Sequence, residues 1–432
     1  MRARRHALAL PFLLSGVLVA GACTNSTTSA SGPSSGVPTA TGPGGTGGSA
    51  IPAAPVDFSQ PGPYVVGTRN VPLTEETCPA PPDSKFGCPR SAVMFYPADA
   101  TSAATVTRVT GYSTSVAFPE QLRAVVPAAF LQEIQFGVDV FEAPMANKEG
   151  PFPILLHSHG FGGYYLFESR YMAHIASWGF VVAAPDHQER SLAGQLSASG
   201  GFNPDADVTD LRNTLDVVKR ANVDDTPLRG AIDTARVGVS GHSAGGSAAM
   251  RFGTDPAIAT IIGKAPAAPV QLPESARRGG ADAQTMGSMV RQGLDSVTPP
   301  TKPVLLIAAD KDGAIALTSV EAQFEWLRSP KRLVVLENAG HNAFTDLCGP
   351  IRSQGGLMQY ADKLPALVGL FRLGEDGCVD GMTAPEKSEA VVNHTTVAHL
   401  RHVFGMDPSE ASLDVAFLQK TFPAAVASVS RT

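Results

Sequence analysis

The stretch Ala235-Arg-Val-Gly-Val-Ser-Gly-His-Ser-Ala-Gly-Gly246 decides the fold. Arg236 to Ser240 is short and mostly apolar, as a covered strand would be, and Ala244 to Phe252 is a small-residue run that reads as a helix. Between them Gly241-His-Ser-Ala-Gly245 matches GxSxG, the turn that lifts a serine out of the top of a sheet between a strand and a helix. The flanking glycines permit a strained backbone and a close strand–helix approach that side chains would block. A second match, Gly32-Pro-Ser-Ser-Gly36, has neither a strand before it nor a helix after it. Ser243, not Ser34, is therefore the candidate nucleophile.

Working outward, near-continuous apolar runs occur at Pro153–Leu156, Phe180–Ala184, Val304–Ala308 and Arg332–Leu336, a pattern that suits strands covered on both faces. Leu211, Leu215 and Val218 recur at helical spacing, as do Val320, Phe324 and Leu327. Strand and helix patterns in alternation predict an α/β domain with a mostly parallel central sheet and helices on both faces. Val93–Tyr96 and Tyr64–Val66 are expected as earlier strands, antiparallel at one edge.

A serine hydroxyl attacks a carbonyl only when a base takes its proton, and the base needs an acid to fix its tautomer. Asp310 and Asp312 follow the apolar run 304–308, and Gly340-His341-Asn342 follows the run 332–336. All three roles then fall at the same ends of parallel strands, where open α/β sheets place ligands. Asp312 is the preferred acid, with Asp310 as its alternative, and His341 is the base. Two backbone donors must receive the oxyanion. Ala244 supplies one, and the glycine-rich corner His157-Ser-His-Gly-Phe-Gly-Gly163 offers the other through the Phe161 amide. His157 and His159 could be read as metal ligands, but no carboxylate or third histidine stands near them in sequence. No metal and no cofactor are expected.

The run Ala235–Gly246, the HGFGG corner, Ala176-Ser-Trp-Gly-Phe-Val-Val182 and Ala339-Gly-His341 together resemble the α/β-hydrolase branch that holds platelet-activating-factor acetylhydrolases and bacterial polyester hydrolases of the cutinase type. The resemblance spans roughly Gly62 to Asp346. It implies an α/β-hydrolase fold, a triad of Ser243, Asp312 and His341, and oxyanion donors at Phe161 and Ala244. Asp186-His-Gln-Glu-Arg-Ser191 and the helical-looking Glu120–Ile134 lean toward the acetylhydrolase side. The polyester enzymes usually carry Trp before the nucleophile, Met after it and an aromatic after the next strand, where this chain has His242, Ala244 and Val270. An aromatic clamp for a polymer is thus not evident. The stretches Gln271–Pro300 and Cys348–Cys378 are candidates to cover the cleft.

These readings point to a serine carboxylic-ester hydrolase working through an acyl-enzyme on short-chain or phospholipid-type esters. Its alternatives are a polyester or cutin-type hydrolase or lipase, acyl transfer to an alcohol, and a non-catalytic hydrolase-like binding module. With 33 Lys+Arg against 39 Asp+Glu, a net charge of −6 and 17% charged residues, the chain has no basic footprint for nucleic acid.

The N-terminus reads as a targeting segment. Arg2, Arg4 and Arg5 precede an apolar run from Ala7 to Ala20, and Ala20-Gly-Ala-Cys23 resembles a bacterial lipoprotein cleavage box with Ala where Leu is usual. Residues 1–23 are expected to be an export signal, with lipid attachment at Cys23 anchoring the protein to a membrane, or simple secretion as the alternative. In 24–55 every residue but Asn25, Val37 and Ile51 is Ser, Thr, Gly, Pro or Ala, which predicts a disordered tether ahead of one domain at 56–432. Five cysteines become four once Cys23 is lipidated, and proximity in sequence favours the bridges Cys78–Cys88 and Cys348–Cys378.

Overall fold

The computed structural model describes residues 54–74, 90–118, 123–124, 135–196, 201, 203–272 and 282–432. The expected signal, Cys23, the bridge Cys78–Cys88 and almost all of Glu120–Ile134 lie outside the described residues.

One sheet organises the rest. Its strands are β1 (Val65–Asn70), β2 (Ala92–Ala98), β3 (Arg108–Ser113), β4 (Gln135–Glu142), β5 (Phe152–Ser158), β6 (Val181–Pro185), β7 (Ile232–His242), β8 (Ile258–Lys264), β9 (Val304–Ala309), β10 (Lys331–Leu336) and β11 (Val426–Arg431). Their order is β11-β10-β9-β8-β7-β5-β6-β2-β1-β4-β3. From β6 to β10 every neighbour is parallel. The apolar runs read as covered strands are β5, β6, β7, β9 and β10.

Alternate residues of these strands feed opposite cores. In β9, Leu305, Ile307 and Ala309 join one cluster, and Val304, Leu306 and Ala308 join the other. Two-sided burial explains why the strands read as unbroken apolar runs, because neither face meets water. One face is covered by α1 (Ser169–Ser177) and the long α7 (Pro385–Val403), the other by α2 (Pro204–Asp224), α3 (Ala244–Phe252) and α5 (Leu317–Trp326). Helix α2 starts where Asn203 accepts the amides of Asp205 and Ala206, with Pro204 in the first turn, and it buries Leu211, Leu215 and Val218. Each such leucine or valine contributes about 1.5–3 kcal/mol relative to an exposed one.

Three features differ from the sequence expectation. The early strands are antiparallel as expected, but they are not the edge: β2 lies between β6 and β1, and β4 and β3 continue the sheet beyond them. The strand β8 carries the buried Lys264 at its end and was not marked by an apolar run, and β11 pairs antiparallel with β10 although most of its side chains are exposed. Of Gln271–Pro300, residues 273–281 lie outside the described residues and 282–300 does not cover the cleft, because its helix α4 (Ala283–Leu294) packs against α5 and buries Val290 and Leu294 with Ala322.

The loop after His341 does cover it. Cys348 and Cys378 are joined by a disulfide that closes an excursion of 30 residues containing α6 (Val368–Glu375). Constraining a loop of that length in the unfolded chain is worth about 3–4 kcal/mol in the chain-entropy model. Cys348→Ser/Cys378→Ser protein should lose stability of that order in urea melts, with the excursion rather than the sheet gaining amide exchange. Unchanged exchange in 348–378 would contradict this.

Candidate active site

Strand β7 ends in a turn so tight that Ser243 adopts φ 55° and ψ −119°, a region that side-chain-bearing residues rarely enter. The turn closes only because its neighbours are glycines. A Cβ on Gly241 would overlap the carbonyl of Gly245, and one on Gly245 would overlap the carbonyls of Ser158 and His159 at the end of β5. The Ser243 amide donates to the Lys264 carbonyl (2.9 Å), which fixes the turn against β8. These neighbours matter topologically, because β5 is followed in space by β6 on one side and β7 on the other. Ser243 therefore stands at the crevice where the strand order reverses.

The two loops from β9 and β10 meet it there. His341 Nε2 lies 2.9 Å from Ser243 Oγ, and His341 Nδ1 lies 2.9 Å from Asp312 Oδ2. The other oxygen of Asp312 accepts the amides of Ala314 (2.8 Å) and Ile315 (2.6 Å), so the carboxylate is oriented from behind. Asp310 instead accepts the Ala339 amide at 3.2 Å and ties the β9 loop to the β10 loop without reaching the imidazole. Burial lowers the His341 pKa, but the charge and hydrogen bond of Asp312 outweigh it, with Asp376 adding to them, and the net shift is upward from 6.5.

The Phe161 amide belongs to the turn after β5, and the Ala244 amide opens α3. Gly160 brings that turn onto Ser243, since a Cβ there would stand 3.4 Å from the Ser243 Cβ. A buried charge network that sequence reasoning did not reach holds this turn from beneath. Arg190 binds the Asp207 carboxylate (2.9 Å), donates to Ser158 Oγ (2.8 Å) and to the His159 carbonyl, and its own carbonyl accepts the Gly162 amide (2.8 Å). Arg90 binds Asp210 at 2.7 Å and Glu189 at 3.2 Å, and His187 lies 3.1 Å from Asp210. The one signal in the sequence was the Asp186–Ser191 run, which supplies His187, Glu189 and Arg190.

His187, Asp207 and Asp210 offer ligand atoms within 4.8 Å of one another, yet both carboxylates are already bound by arginines. His157 is likewise engaged, by Ser240 at 2.9 Å and Glu168 at 3.2 Å, and His159 by Gly160 and the His187 amide. Glu168 also pairs with Lys264, fully buried below Ser243, and the Lys264 ammonium sits 3.5 Å from the Tyr171 ring centre.

Above Ser243 is a pocket of about 90 Å³ whose walls are almost wholly apolar. Phe118, Phe161, Tyr164 and Phe167 line it, together with Leu347 and, from the disulfide-bridged excursion, Leu357, Leu367, Leu370 and Phe371. No described residue of 271–300 contributes. The aromatics that line this pocket come from segments other than positions 242, 244 and 270, and no local motif marks them.

The family model for platelet-activating factor acetylhydrolase, isoform II, matches residues 94–199, a span that holds the 157–163 turn and the 186–191 run and stops short of Ser243. Among solved structures, the chain is similar to a ferulic acid esterase from Streptomyces cinnamoneus, with a TM-score of 0.53, 19% identity, and coverage of 81% of this chain and 92% of that one.

The distances separate the two acids. Asp312→Asn should lower turnover on the order of 10³–10⁴-fold by fixing the wrong tautomer of His341, while Asp310→Asn leaves the imidazole partnered and should cost far less. A base with a raised pKa also predicts that kcat/KM climbs with pH through a midpoint above 6.5, because only neutral His341 can accept a proton. Steady-state kinetics of the purified variants across pH checks both. The sheet and the serine turn give the chain an α/β fold with a mostly parallel central sheet, and its residues 94–199 are similar to platelet-activating factor acetylhydrolase, isoform II.

Proposed function

We propose that the protein hydrolyses short-chain or phospholipid-type carboxylic esters through an acyl-enzyme on Ser243. The observation that carries this reading is the relay Asp312–His341–Ser243, with 2.9 Å at each step, at the floor of a small apolar pocket. Ser243 Oγ attacks the ester carbonyl while His341 Nε2 takes its proton. The amides of Phe161 and Ala244 receive the oxyanion. His341 then gives the proton to the departing alcohol, and a water activated by the same imidazole cleaves the acyl-enzyme.

The pocket walls argue for an apolar acyl group, and its size argues for a short one. A larger alcohol is accommodated if it projects from the mouth, beside the partly exposed Phe161. The basic and apolar start, Cys23 and the charge-free stretch behind it support an exported protein tethered to a membrane by lipid, with its cleft facing outward.

Replacing Ser243 by Ala should lower ester turnover by about three orders of magnitude or more, with Ser34→Ala indistinguishable from the parent. Specificity constants for soluble esters with acyl chains of graded length should fall from acetyl and butyryl toward palmitoyl, since each methylene gains about 0.8 kcal/mol only where a pocket receives it. A steady rise with length would replace this reading by a lipase-like groove, and rapid attack on an amorphous polyester film would favour the polymer-degrading alternative.

A further inference from the structure

The excursion that roofs the pocket also returns a carboxylate to the catalytic loops. Asp376, two residues before the bridged Cys378, accepts the His341 amide on Oδ1 (3.1 Å) and the Gly313 amide on Oδ2 (2.9 Å). Its backbone carbonyl accepts the Asn342 amide at 2.7 Å. One side chain thus holds the residue after the acid and the base itself, which lie on loops from two different strands. The sequence is shaped to admit it. A Cβ on Gly313 would stand 2.7 Å from Asp376 Oδ2, and a Cβ on Gly340 would overlap Asp376 Oδ1 and the Gly377 backbone. Gly377 in turn has φ 88°, which only glycine adopts without strain, and a Cβ there would press on Gly340.

Resting on the triad reading above, we propose that Asp376 is a positioning residue of the active site, a brace that sets the Asp312–His341 register and lends negative charge to the imidazole. The groups facing His341 are Asp312 from the loop after β9, Asp376 from the bridged excursion, and Ser243 and His242 from the serine turn, with His242 Nε2 donating to the His341 carbonyl (2.9 Å). Lys264 and Glu168 lie deeper, as a mutually compensating pair. Burial and the neighbouring Asp312 raise the Asp376 carboxyl pKa, and His341 and the two amides oppose that rise.

Asp376→Asn keeps the volume and one acceptor but can satisfy only one of the two amides and carries no charge. It should lower kcat roughly tenfold with KM for a soluble ester nearly unchanged, and move the acid limb of kcat/KM to lower pH by about half a unit. Gly313→Ala keeps the charge but crowds the carboxylate, so it should lower kcat without the same pH shift. The third measurement needs no substrate: the imidazole of His341 titrated by NMR in Ser243→Ala and Ser243→Ala/Asp376→Asn protein. A lower midpoint in the double variant supports the brace whether or not an ester is ever turned over. An unchanged midpoint overturns it, as does an unchanged kcat in folded Asp376→Asn. Loss of the triad reading itself would show separately, as esterase activity that survives Ser243→Ala alone. If Asp376→Asn fails to fold, a Gly313→Ala enzyme with parental kcat overturns the proposal and one with depressed kcat supports it.

Discussion

Everything at the site depends on how closely three backbones approach where β5, β7 and α3 converge. Gly245 lies against the Ser158 and His159 carbonyls, and Gly241 against Gly245, with no room for a methyl group at either position. That contact forces Ser243 to positive φ and places it at the start of α3, where it lines the pocket with its hydroxyl against His341. Backbone strain of this kind costs on the order of 1–3 kcal/mol and persists only where the surroundings over-determine it. Here the surroundings are a parallel sheet buried on both faces and the Lys264 carbonyl that receives the serine amide.

Beneath the turn, that rigidity is electrostatic. Arg90 and Arg190 are fully buried, Arg90 between the Glu189 and Asp210 carboxylates and Arg190 between the Asp207 carboxylate and the polar groups of Ser158 and His159 at the end of β5. Removing one partner of such a network strands the others without water, typically at a cost of about 3–5 kcal/mol. Burial pushes the Asp210 carboxyl well up against the pull of Arg90, and burial together with the neighbouring Arg190 pushes the His187 imidazole well down. The mechanical result is a turn at 158–162 held from below by Arg190, with Phe161 lining the pocket.

The other half of the site is built by chain that returns from far away. The excursion between Cys348 and Cys378 supplies the leucines that close the pocket and the Asp376 carboxylate between the catalytic loops. Stability of that excursion and geometry of the base are therefore linked through two residues of separation, Asp376 to Cys378.

The covered strands and the serine turn were legible in the sequence because their physics is local: two-sided burial leaves an unbroken apolar run, and a sharp turn requires glycine at fixed offsets. The strand ends also told which loops could carry an acid and a base. The edge strands β3 and β11 carry no apolar signature because they expose much of their surface, β4 buries only alternate residues, and β8 was hidden by a lysine whose partner, Glu168, is distant in sequence. Spacing alone left Asp310 beside Asp312, and only the curl of the loop, with Ala314 and Ile315 donating to one oxygen, turned the other toward His341. In the same way the roof proved to be 348–378 and not 282–300, and Asp376 went unseen. The sequence by itself determined the layer architecture and the nucleophile turn, whereas tertiary structure decided which carboxylates meet the imidazole and what encloses the pocket, since those contacts join segments that no local pattern relates.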